Sequence, residues 1–149
     1  MALKADRIEA LSDISFFMNT VAERGGVVSV VTAGSGVSMD DANAVVAYAA
    51  TVSGSKPLGI LLNDVVNYDL TRQHINWHKD EVQVGGKVAL LRQGQVTTNM
   101  VTGSPSAGVD AYVGVSGLVG TSSTNSVKIG QFLSSKDADG YVKLSVNIT

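Results

Sequence analysis

A chain of 149 residues is the usual size of one domain, enough to bury a core but short for two. Its apolar share is ordinary at 44%, but only 5% of residues are aromatic and 16% charged, against roughly 25% charged in an average domain. With a formal net charge of −2 and its Lys and Arg scattered singly, the chain has no basic stripe to neutralise phosphates, which argues against nucleic acid and anionic membranes as partners. It has no cysteine, so disulfides and thiolate metal sites are excluded.

The difference in composition is made up by small and β-branched residues. Sixteen Gly and two Pro, with many Val, Ser and Thr, favour strands joined by tight turns and argue against an all-α fold. The first seven residues already carry charges and no apolar core of signal-peptide length follows, so secretion by that route is not expected. No apolar run reaches the roughly 18 residues of a membrane span.

Along the chain, residues 5–18 come first and are ambiguous. Ile8, Leu11, Ile14 and Phe17 recur at three-residue spacing, as on an amphipathic helix, while 14–18 also reads as a strand. The segment is expected to be a short helix or turn followed by an extended piece. Phe16 and Phe17 are two of the three Phe and stand apart from the later β pattern. Residues 1–24 are therefore a candidate docking arm, with Ile14, Phe16, Phe17 and Met18 as its contact residues. A segment that caps the core is an equal alternative.

From Gly25 the pattern is that of strands. Gly25-Gly26 introduces the apolar run 27–31, and residues 44–52 and 58–62 follow as further strands, the alanines of the former leaving a helical turn open. Residues 63–77 are polar and irregular and read as a long surface loop. Beyond them Glu81 to Val84 alternates and Gly85-Gly86 turns. Residues 87–91 then run to a second turn at Arg92-Gln93-Gly94 before a strand over 95–101, lengths that suit hairpins. The last third adds runs at 111–115, 118–119 and 127–133, a turn at 137–140, and a closing strand over 141–148. In that strand Val142, Leu144, Val146 and Ile148 alternate with polar residues, the clearest period-two pattern in the chain. Short strands at this spacing predict a mostly-β fold, a small β-barrel or β-sandwich over residues 25–149 with an N-terminal arm or short helix.

Chemistry is weakly signalled. His74 and His78 stand four apart, as on a zinc-protease helix, but Ile75 occupies the place of the general-base Glu and the chain has no third His. Asp137-Ala138-Asp139-Gly140 resembles part of a Ca²⁺ loop, yet no Glu closes a loop of about twelve residues, and a strand-connecting turn needs the same residues. Gly103-Ser104-Pro105-Ser106-Ala107-Gly108 has neither the order of a nucleophile elbow nor the ending of a phosphate loop. Trp77 is equally suited to an interface or to a core. No catalytic, cofactor or metal residues are assigned, and the chain is not expected to be an enzyme.

Several stretches taken together resemble the small head decoration, or cement, proteins of tailed bacteriophages. They are Lys56-Pro57-Leu58-Gly59-Ile60-Leu61-Leu62-Asn63-Asp64-Val65, Gln73-His74-Ile75-Asn76-Trp77-His78-Lys79-Asp80-Glu81-Val82, Gly85-Gly86-Lys87-Val88, Gly94-Gln95-Val96-Thr97-Thr98-Asn99, Ile129-Gly130-Gln131-Phe132-Leu133-Ser134-Ser135 and Asp137-Ala138-Asp139-Gly140-Tyr141. The resemblance covers most of the chain from about Gly25. It implies a β body on the virion exterior, attached to the outer face of the major capsid protein and self-associated around a symmetry axis, as a trimer if it docks at capsid threefold positions. It implies no cofactor. A host-adhesion or carbohydrate-binding module is the competing reading, for which Tyr48, Tyr68, Trp77, Tyr112 and Tyr141 offer the aromatics without a spacing that gathers them.

Overall fold

Val and Ile pack well on a pleated surface and Gly permits the turns between strands, and the computed structural model, which describes residues 2–33, 44–66, 81–82 and 84–148, is mostly β. Its strands in chain order are β1 (Ile8–Met18), β2 (Ala22–Glu23), β3 (Val27–Ala33), β4 (Ala44–Ala47), β5 (Pro57–Val66), β6 (Glu81–Val82), β7 (Lys87–Thr98), β8 (Asp110–Val113), β9 (Val119–Gly120), β10 (Lys128–Phe132) and β11 (Val142–Asn147). Among the described residues the one helical piece is a 3-10 turn at Val115–Gly117.

Nine strands form one sheet in the order β1-β4-β3-β5-β7-β11-β10-β8-β9, and β1 also pairs with β7. The pairings β1–β4–β3–β5–β7–β1 therefore return on themselves. β7 organises the whole arrangement. Its residues 87–91 pair with β5 and its residues 93–98 with β11. Because β1 pairs with β7 from Lys87 to Gln95, β1 must occupy the opposite edge from both. The chain before β1 continues along that edge, with Leu3 bridged to Thr98 and the Lys4 N–H donating to the Thr97 carbonyl at 2.9 Å.

The turn expected at Arg92-Gln93-Gly94 is absent: β7 runs straight through it. Gly94 is there for a different reason. At φ +150° it stands where a Cβ would come within 2.1 Å of the Ile8 carbonyl oxygen, so its missing side chain lets β1 close on β7 instead of reversing the chain. The hairpin expected across Gly85-Gly86 also does not form. The Gly85 N–H donates to the Met18 carbonyl and the Met18 N–H to that of Gly86, each at 2.9 Å. With β1 and β5 on its two edges here, β7 has no edge for β6, which pairs with β2 in a separate two-stranded ribbon.

The remaining expectations shift mainly at their ends. Strand β4 stops at Ala47, short of Val52, and β5 extends from Pro57 to Val66, taking in residues first read as loop. The rest of that loop, with Tyr68, His74, Trp77 and His78, lies outside the described residues. The segment expected to start as a helix or turn is extended from Ile8. Its three-residue apolar spacing is accommodated by register shifts between Glu9 and Leu11, Leu11 and Ser12, and Asp13 and Phe16, since bulges re-aim side chains that strict alternation would place on opposite faces.

Two cores result, and β3, β5 and β7 form the wall between them. On one side Met18, Val28, Val46, Leu61, Val82, Val88 and Leu90 pack together, with Phe16, Ala22, Tyr48 and Leu58 partly buried against them. On the other, Val27, Ile60, Leu62, Leu91 and Val96 meet Ile129, Phe132, Val142, Leu144 and Val146 from β10 and β11, with Leu3 from the N-terminus. Successive residues of the wall, such as Ile60, Leu61 and Leu62, serve alternate cores, which is why that stretch is uninterruptedly apolar. Burying each such side chain contributes about 1.5–3 kcal/mol.

Tyr48 ties the end of β4 to the rest. Its hydroxyl donates to the Glu23 carbonyl and accepts the Gly26 N–H at 3.1 Å. Asp137 acts as a turn residue: its Oδ1 accepts the N–H groups of Asp139 and Tyr141, each at 2.9 Å, and the Gly140 N–H donates to its carbonyl.

Candidate functional site: the exposed face of β1

Strand β1 is held on one edge by β7, and on its other edge only Phe17 and Met18 pair with a described strand, β4. The consequence is a strand that becomes progressively buried along its length. Residues 5–12 are exposed whichever way they point, 13–17 are mostly half-buried, and Met18 is buried. Three large apolar side chains stand in water along it: Ile8 at 61% exposure, Leu11 at 47% and Ile14 at 51%. From Ile8 to Ile14 is about 20 Å of strand, a longer row than scattered surface hydrophobics require.

Of the four contact residues named from the sequence, the structure presents Ile14 outward. Phe17 is half-buried, with the Lys87 ammonium 5.9 Å from its ring centroid, near the outer limit of a cation–π contact. Phe16 packs against the core that contains Val46 and Leu61, and Met18 lies inside that core, so Met18 offers no surface to a partner while the fold is intact. Ile8 and Leu11, read from the sequence as part of a helical stripe, are the outward residues that were not named as contacts. Their signal was present in the apolar spacing, but its meaning depends on bulges that the spacing does not reveal.

Two local polar contacts lie along the N-terminal segment. At the last bulge Asp13 Oδ2 accepts the Ser15 N–H at 3.1 Å and its Oδ1 accepts the Ser15 hydroxyl at 2.7 Å. Nearer the N-terminus Arg7 Nε donates to Glu9 Oε1 at 2.5 Å.

Two of the surface cavities are lined by described residues. One, of about 400 Å³, is lined by Val52, Thr102, Val113, Leu118, Thr121 and Ser122 among others; the second, of about 330 Å³, runs beside Ile8 and Ala10 across Gln93, Gln95, Ser145 and Asn147. Neither lining contains a carboxylate, imidazole or amine, so the described walls hold hydroxyls and amides without a base to activate them. Among the described residues no three acidic or imidazole side chains gather as a metal site, and no helix is long and apolar enough to cross a membrane.

A double-cored β body with Ile8, Leu11 and Ile14 exposed along one strand is an architecture suited to a structural protein. The kind of structure it serves follows from its sequence: residues 9–146 match the family of the XM1 gp53 minor capsid protein. The chain belongs to that family and is a structural, capsid-associated phage protein. No curated protein matches it.

Proposed function

We propose that the chain binds the outer surface of the phage capsid through the major capsid protein and cements the shell, acting as a homo-oligomer and without catalysis. The observation that carries this reading is the family match from residue 9 to residue 146, which includes nearly the whole of β1 as well as the β body. The exposed apolar row on β1 supports it, because a cement protein needs a surface that gains by being covered. Contact is assigned to Ile14 and to the half-buried Phe17. Phe16 and Met18 act behind them by fixing the strand to the core formed with Val46, Leu61 and Val88.

The exterior position is tested by immunogold labelling of intact virions with antibody raised against the purified chain. Labelling of intact capsids is expected; labelling that appears only after the capsid is broken would overturn it. The contact assignment is tested by Ile14→Asp, which removes an exposed apolar side chain without touching either core. It is expected to weaken capsid binding about tenfold, the range of a single interface anchor, while leaving the melting temperature of the free protein unchanged.

A further inference from the structure

The N-terminal half of β1 carries information about what covers it. Residues 6–10 read Asp6-Arg7-Ile8-Glu9-Ala10, all exposed, with Arg7 and Glu9 joined by an ion pair on either side of Ile8. Among the described residues nothing pairs with this stretch except β7, on one edge only. An edge that no described residue pairs, carrying exposed apolar residues, is a template for another strand, and natural proteins usually blunt such edges.

We infer that this edge pairs antiparallel with the same edge of a second copy, about a two-fold axis at Ile8. The argument is one of register. With Ile8 opposite Ile8, Arg7 of each copy faces Glu9 of the other, so the two intrachain ion pairs become one ring of four alternating charges. Asp6 then faces Ala10, and Ala5 faces Leu11. Each neighbouring register is worse. Centring on Arg7 sets two guanidinium groups face to face, and centring on Glu9 sets two carboxylates face to face. Centring on Leu11 opposes Glu9 to Asp13 twice. Placing the axis between Ile8 and Glu9 puts charge against Ile8 and Leu11. Like charges directly opposite destabilise a strand pair and opposite charges stabilise it; centring on Ala10 also opposes Arg7 to Asp13 but sets Glu9 against Leu11, so the register centred on Ile8 is the one that matches charge with charge while keeping Ile8 on Ile8. A parallel, in-register pair would set every charge on its like. Two-fold contacts of this kind are isologous, and they predict a dimer where the resemblance to decoration proteins implies a trimer.

This inference rests on the homo-oligomeric part of the proposed function and leaves the capsid contact at Ile14 free, since Ile14 lies beyond the paired stretch. It is tested on free protein, separately from capsid binding, so a failure here is distinguishable from failure of the cementing reading. The chain has no cysteine, so single cysteines report cleanly. Opposed residues in an antiparallel pair have Cβ atoms about 4.5–5.5 Å apart, close to disulfide reach. Mild oxidation of Ile8→Cys is expected to give a disulfide-linked dimer, while Ile14→Cys, similarly exposed but unopposed to itself, stays monomeric on a non-reducing gel. Arg7→Glu and Glu9→Arg should each raise the dimer dissociation constant at least about tenfold in sedimentation equilibrium. The doubly exchanged chain, and an equimolar mixture of the two single variants, should recover it. Equal cross-linking at both positions, no cross-linking at Ile8, a trimer in solution, or a dimer indifferent to these charges would each overturn the inference.

Discussion

Thr98 and Ser29 are buried polar side chains with opposite consequences. Thr98 lies fully inside, yet its hydroxyl donates to the Gly25 carbonyl at 2.9 Å and accepts the Met100 N–H at 3.2 Å, tying β7 to the entry of β3. Thr98→Val keeps the shape and orphans two backbone groups, and is expected to destabilise by about 1–3 kcal/mol. The Ser29 hydroxyl is buried with no hydrogen-bond partner. Ser29→Ala removes a desolvated group and should raise stability by about 1 kcal/mol. Urea denaturation of the two variants checks the pair, and shifts of the same sign would contradict it. Phe132, the largest fully buried side chain among the described residues, sets the scale: its replacement by Ala should cost about 3–5 kcal/mol.

At the scale of elements, β1 and β7 decide the fold, and they are also where sequence and structure part. The alternation of β11 was legible because one face of that strand is buried and the other is not, which leaves a period of two in the residues themselves. β5 was legible as an apolar run for the complementary reason, that both its faces are buried. β7 was misread as two strands because Gly94 looks the same in a sequence whether it turns the chain or lets another backbone approach. β1 was read as partly helical because its bulges convert strand alternation into a three-residue spacing. The outward position of Ile8 and Leu11 was hidden for that reason, while Phe16 and Phe17 drew attention as two of the three Phe, standing apart from the later β pattern.

Two predictions belong here. Gly94→Ala forces a Cβ into the Ile8 carbonyl and should cost about 2–3 kcal/mol, with amide exchange accelerated along β1 before the rest of the sheet. Deletion of residues 1–19 removes the strand that pairs β7 along one edge and with it Leu3 and Met18 from the two cores. The truncated chain is expected to lose cooperative thermal unfolding; a truncated chain that melts like the full-length protein would show that β1 is dispensable to the body.

For the whole molecule, the shared wall of β3, β5 and β7 makes one mechanical unit of two small cores, which suits a structural part of a virion. Without disulfides, stability comes from packing, backbone pairing and side-chain hydrogen bonds such as those of Thr98 and Tyr48. The low charge and the Ser-rich and Thr-rich turns give the surface no strong field, and under the proposed function attachment falls to the apolar row on β1. The most direct test of the cementing role is titration of purified protein onto capsids that lack it, read by co-sedimentation and by the capsid melting temperature. Saturable, stoichiometric binding with a raised capsid melting temperature is the expected result; capsids that bind none of it, or bind it and melt no higher, would contradict the account.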